Sequence, residues 1–251
     1  MKILNWISTE QYTSHHKTIF SHRLEGTGTW LLKQRSYELW KYSTRTPFLW
    51  LNGGPGTGKS VLTSLVIDDI MRETSEKNGP PLAYFYCTRD SSEPRRADST
   101  EIILSILRQL LSSGQEYNAD ESLILSLSSQ WQSRLKIDDT NRLDQNESIA
   151  IITEICNIKG AYIIIDALDE CSPKHRENLM DSLDTICQNS TAMVNVFISS
   201  RPNDYDIKTH FKEIPRVEIS AKLNSHDIRN FGPLHQLCHL LLVLISYVHS
   251  L

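Results

Sequence analysis

Gly53-Gly54-Pro55-Gly56-Thr57-Gly58-Lys59-Ser60 satisfies the pattern G-x-x-x-x-G-K-[ST] at every fixed position. Its glycines let the backbone fold tightly enough for successive N–H groups to point inward at phosphate oxygens. A helix opening near Lys59 aims the positive end of its dipole at the same place, Lys59 adds a full charge, and Ser60 offers a hydroxyl for Mg2+. The pattern requires a strand before it and a helix after it. Pro47 to Leu51 is a short apolar run that supplies the strand. From Lys59 to Arg72, Val61, Leu62, Leu65, Val66, Ile70 and Met71 share one side, as in an amphipathic helix. Gly53 through Ser60, followed by Val61, are therefore the expected contacts for the phosphates of a nucleoside triphosphate.

The same alternation extends in both directions. Leu82 to Cys87, Ala161 to Asp166 and Met193 to Ser199 read as strands, and Ser99 to Leu111, 121 to 135, 147 to 158 and 174 to 188 as helices, the first capped by Ser99 or Thr100. Upstream, Thr27 to Trp40 reads as one helix leading into the domain, with Thr27 or Thr29 as its cap. Strands that are apolar on both faces and alternate with helices imply a mostly parallel sheet covered on both sides, an α/β P-loop architecture of three α/β/α layers behind a short helical lead.

Binding a triphosphate productively also needs a carboxylate at the end of a neighbouring strand. The segment Ala161-Tyr162-Ile163-Ile164-Ile165-Asp166-Ala167-Leu168-Asp169-Glu170 ends its apolar run at Asp166, which places that acid at the edge of the sheet where open α/β folds bind ligands. Asp166 and Ser60 are the expected Mg2+ ligands. Small Ala167 leaves space beside the phosphates. Glu170 is the first choice to polarise an attacking water and Asp169 the second. Val196 to Pro202 delivers Arg201 to the same edge, where a guanidinium would sense the γ-phosphate. Base identity stays open between ATP and GTP, because these motifs contact only phosphates and metal.

Composition is that of an ordinary folded chain: 251 residues, 39% hydrophobic, 22% charged, formal charge −4. Without a basic stripe, no nucleic-acid partner is expected. The five cysteines, Cys87, Cys156, Cys171, Cys187 and Cys238, show no C-x-x-C spacing and read as reduced thiols. The apolar N-terminal run is too short for a secretory signal, so a cytoplasmic location is expected. After Arg229 the chain has no Asp, Glu, Lys or Arg, and Leu237 to Val248 is almost continuously apolar yet too short to span a bilayer comfortably. A buried helix, a weakly membrane-associated segment and an aberrant, truncated end are the three readings of it.

Taken in order, TGTWLL at 27–32, LWLNGGPGTGKSVL at 49–62, IIIDALDEC at 163–171 and VFISSRP at 196–202 resemble the NACHT domain of STAND-class P-loop NTPases. More narrowly they resemble the nephrocystin-type N-terminal NACHT modules of fungal NOD-like receptors and vegetative-incompatibility proteins, over about residues 22 to 222. The resemblance implies a nucleotide-operated switch that rests with a diphosphate, is activated by a triphosphate, forms homo- or hetero-oligomers through the NACHT core and hydrolyses slowly. Under it, Lys59 and Ser60 take the phosphate and magnesium roles, Asp166 the metal-binding acid, Glu170 or Asp169 the catalytic acid and Arg201 the sensor arginine, while Gly28-Thr29-Trp30 matches a stretch near the base. The expected organisation is a helical lead at 1–45, a NACHT-type domain at 46–222 and an apolar tail at 223–251 that does not resemble the winged-helix continuation of such proteins. A non-hydrolysing interaction module or truncated decoy is the alternative. A small-molecule kinase is a third reading, without the Arg-rich lid it would need.

Overall fold

A computed structural model describes residues 2–42, 47–77, 79–113, 121–135, 142–220, 223 and 227. Four helices come first: α1 (Lys2–Ile7), α2 (Tyr12–Ser21), α3 (Thr29–Leu32) and α4 (Arg35–Lys41). Then follow β1 (Phe48–Asn52), α5 (Lys59–Lys77), β2 (Leu82–Tyr86), α6 (Ser99–Ser113), α7 (Glu121–Leu135), α8 (Gln145–Lys159), β3 (Ala161–Asp166), α9 (Pro173–Asn189), β4 (Val194–Ser200), α10 (Tyr205–His210) and β5 (Arg216–Glu218). Short 3₁₀ turns occupy Pro94–Ala97 and Leu168–Glu170. The expected apolar tail lies outside the described residues apart from Leu223 and Asp227.

The five strands form one sheet in the order β2-β3-β4-β1-β5, every neighbouring pair parallel. Alternation along each strand divides the core in two. Phe48, Trp50, Ala83, Phe85, Ile163, Ile165, Val196 and Ile198 join one cluster with residues of α6, α8 and α9. Leu49, Leu51, Tyr84, Tyr86, Ile164 and Phe197 join a second with α4 and α5. Because side chains of a strand point alternately to opposite faces, two separate apolar clusters on one sheet are what a three-layer α/β/α arrangement requires. The expected fold class is the observed one.

Ile7 belongs to the first cluster and is fully buried, and Arg108 of α6 donates to Ser8 O at 2.7 Å, so the start of the chain is part of this packing. Helices α1 and α2 fall within the helical lead expected at 1–45, where they were not individually delimited, and helix α10 and strand β5 were not anticipated.

The expected single helix from Thr27 to Trp40 is instead two, α3 and α4, with Gln34 extended between them at φ −72°, ψ 132°. Leu31 and Trp40 are both fully buried in the second cluster. Nine residues at about 100° each would put them on opposite sides of one helix, so the chain must break to bury both. Neither Thr27 nor Thr29 caps α3. Its cap is Gly28 at φ 76°, where a Cβ would meet Leu62 Cδ2 at 2.9 Å. For α6 the cap is not Ser99 or Thr100 but Asp98, whose carboxylate accepts from Thr100 N at 2.8 Å and Glu101 N at 3.3 Å. Helix α8 starts two residues before the expected 147, on a capping box between Asp144 and Glu147.

Candidate functional site

Strand β1 passes through Gly53 and Gly54 into a turn in which Gly56 and Gly58 take φ of 69° and 85°, a region closed to most residues with a side chain. The turn feeds directly into α5 at Lys59. The Lys59 ammonium folds back to donate to Gly53 O and Gly54 O, each at 2.8 Å. Burial holds its pKa below the ordinary lysine value. A cavity of about 380 Å³ opens above the turn, lined by Pro55 through Val61 on one side and by Ala167, Asp169, Glu170 and Arg201 on the other. Gly53, Gly54 and Asp166 lie behind this lining.

Asp166 ends β3 and is 2% exposed. Its Oδ1 accepts from Thr63 Oγ1 at 2.8 Å and from Ser199 Oγ at 2.5 Å, and the Ser60 hydroxyl is a third partner. Burial pushes its pKa up, against the pull of those hydroxyls. Thr63 and Ser199 were not foreseen. Thr63 stands one helical turn after Lys59 on the same face of α5, so helical spacing from the motif was the signal that could have found it. Ser199 also accepts the Ala167 amide at 2.9 Å. Ala167 is the sole non-glycine residue with positive φ among the described residues, at 55°, and it swings the chain out of β3 into the 3₁₀ turn.

That turn presents the two remaining acids differently. Asp169 is 5% exposed, its Oδ1 taking the Arg201 backbone N–H at 2.9 Å and its Oδ2 facing Arg201 Nε at 3.2 Å. Glu170 is more open and gives one oxygen, Oε1, to Arg201 Nη2 at 2.9 Å. Arg201, immediately after β4, is half-exposed and thus bridges both carboxylates. Ser60, Asp166, Asp169, Glu170, Arg201 and the glycine turn, separated by up to about 150 positions in sequence, meet at one edge of the sheet because β1, β3 and β4 are parallel neighbours and end together.

Gly28 and Trp30 are not among the residues that line the cavity; the Gly28 backbone N–H and the Trp30 indole Nε1–H both donate to Asp227 Oδ2, at 2.8 and 3.1 Å. Cys87 and Cys171 are a buried, hydrogen-bonded thiol pair, and each of the cysteines at 87, 156, 171 and 187 is free. No helix among the described residues is long and apolar enough to cross a membrane.

The family described as Nephrocystin 3, N-terminal matches residues 26–201. Over 216 residues the chain is 26% identical to the vegetative incompatibility protein HET-E-1 of Podospora anserina, a match that covers 82% of this chain and 14% of that protein. The chain thus spans a small fraction of the length of this relative. Among solved structures, it is similar to Cdc6p from Pyrobaculum aerophilum, with 14% identity and a TM-score of 0.45 over 86% of this chain and 48% of the other. It is also similar to domain III of the replication initiation protein DnaA from Thermotoga maritima, with 13% identity and a TM-score of 0.39 over 80% and 66% of the two chains.

Proposed function

We propose, from the premise that this chain belongs to the Nephrocystin 3, N-terminal family, that it is a NACHT-type switch which binds a nucleoside triphosphate, ATP or GTP, and hydrolyses it slowly. The observation that carries the reading is the convergence of Lys59, Ser60, Asp169, Glu170 and Arg201 on one cavity over a glycine turn and a helix N-terminus. Residues 46–222 form the nucleotide domain in this proposal, with 1–45 as its helical lead and 223–251 as a tail. In this proposal the protein acts in the cytoplasm, in signalling of the NOD-like-receptor or incompatibility type, and forms oligomers through the NTPase core.

Each residue has a part. The N–H groups of Gly54 and of Gly56 through Lys59 cradle the phosphates, while Lys59 exchanges its two carbonyl partners for phosphate oxygens. Asp166 and Ser60, with Thr63 alongside, offer carboxylate and hydroxyl oxygens, the hard donor set that suits Mg2+, which when bound neutralises phosphate charge. Glu170 orients the attacking water. It suits the role better than Asp169, because Asp169 has both oxygens engaged and Glu170 has only one. Arg201 reaches the γ-phosphate by leaving the two carboxylates.

Calorimetry of Lys59→Ala tests the site: loss of nucleotide binding is expected, and unchanged affinity refutes it. Phosphate release that disappears in Glu170→Gln supports hydrolysis. The second reading, a nucleotide-bound interaction module without turnover, is favoured by the engagement of both acids with Arg201, and it is the conclusion if wild-type protein binds nucleotide but releases no phosphate.

A further inference from the structure

Strand β2 runs beside β3, and the three residues after it, Cys87, Thr88 and Arg89, pass along the side of the acid turn. Arg89 is exposed and stands outside the cavity. Its Nη2 donates to Asp169 O at 2.6 Å and its Nε points to Glu170 O at 3.4 Å. Those carbonyls are a weak point of the local backbone. The hydrogen bonds of the turn run from Glu170 N to Ala167 O and from Cys171 N to Leu168 O, and they use up the carbonyls before it. Downstream, α9 begins with Pro173, which has no N–H to give back. Among the described residues, the other side chain on these carbonyls is Arg176, whose Nη1 lies at 3.4 Å from Asp169 O and from Cys171 O and whose remaining nitrogens are committed to Asp204 and Asp206.

We infer that Arg89 is a positioning residue for hydrolysis: its planar fork clamps the carbonyl side of Asp169 and Glu170 from the neighbouring strand. Arg201 meets the carboxylate side of the same two residues. The turn is thereby gripped from both sides, and when the Arg201 side chain turns to a phosphate the short bond from Arg89 stays in place beside the longer one from Arg176 and the Arg201 backbone N–H. The inference rests on the hydrolytic reading given above. A charge-assisted bond to a main-chain carbonyl fixes the backbone without using the acids, so both carboxylates stay available. Lysine in place of Arg89 keeps the charge but presents no rigid fork that spans two consecutive carbonyls.

The test compares wild-type protein with Arg89→Ala and Arg89→Lys. Being exposed, the side chain is removable without opening the core, and an unchanged melting curve checks this. Amide hydrogen exchange at Glu170 and Cys171 is expected to speed up about tenfold in both variants, with α5 unaffected. Phosphate release is expected to lose about tenfold in kcat while KM stays within about twofold. Unchanged exchange at Glu170 and Cys171 overturns the clamp. Full kcat in Arg89→Ala, or in Arg89→Lys, overturns the positioning role. Absence of turnover in wild-type protein instead overturns the hydrolytic reading and with it this residue's catalytic consequence, so the two failures are told apart.

Discussion

Replacing Arg201 by alanine should change which nucleotide the protein prefers while hardly touching its stability. In the structure Arg201 lies at 3.2 Å from Asp169 Oδ2 and 2.9 Å from Glu170 Oε1, with about half of its side chain in water. Ion pairs so exposed contribute up to about 1 kcal/mol. Asp169 keeps the Arg201 backbone N–H in the variant, so it is not left bare. The melting temperature is therefore expected to move by no more than about 4 °C. When Arg201 leaves the acids for a γ-phosphate, it gains a charge-assisted bond of about 1.5–3 kcal/mol. Subtracting about 1 kcal/mol for the two half-exposed pairs it gives up together leaves roughly 0.5–2 kcal/mol, or about 2- to 30-fold in affinity. A diphosphate has no oxygen there and is indifferent to the change. The assay is calorimetric titration of wild-type protein and Arg201→Ala with a non-hydrolysable triphosphate and with the diphosphate, each with Mg2+. An equal loss for both nucleotides, or an unchanged ratio between them, refutes the sensor reasoning.

Thr63→Val removes one hydroxyl from Asp166 at nearly constant volume and is expected to weaken Mg2+-dependent nucleotide binding about tenfold, leaving binding in excess chelator unchanged; titration with and without Mg2+ decides it. Gly160→Ala places a Cβ 2.0 Å from Met193 O at φ 74°, and a loss of roughly 2–4 kcal/mol in urea unfolding is expected, whereas a stability equal to wild type contradicts the close approach. His210 has its pKa raised by its bond to Asp184 at 2.9 Å, so its contribution is complete below the ordinary histidine value and fades as pH rises through the raised one. Melting temperatures of wild type and His210→Asn are accordingly expected to converge from pH 5.5 to 8.5, and a constant difference argues against the pair.

The parts of the fold that can be read in advance are those in which the local signal and the tertiary demand agree. FLWLN before the glycine turn and AYIIID before Ala167 are apolar on both faces, and only a covered parallel strand buries such runs. Thr27 to Trp40 misleads because its apolar spacing fits a helix locally, whereas burial of both Leu31 and Trp40 requires the break. Strand β5 is three residues with one buried side chain, too short to carry a period. In the site, the motif residues announce themselves by type and spacing. Thr63, Ser199 and Arg89 do not, because their significance lies in whose atoms they touch across 33 to 103 positions of sequence.

The order β2-β3-β4-β1-β5 sets the timetable by which a growing chain acquires its glycine turn. Strand β1 leaves the ribosome early, yet both of its neighbours, at Val194–Ser200 and Arg216–Glu218, are translated well over a hundred residues later. Strand β3 is translated before either of them, so β2 gains its partner first while FLWLN waits with two open edges, the kind of apolar segment that chaperones shield. Pairing across such separations is slow to nucleate. Chains released with their end just before Val194 are then expected to hold a β2–β3 subassembly and no seated turn, so the earliest-written motif in the chain is among the last to become competent.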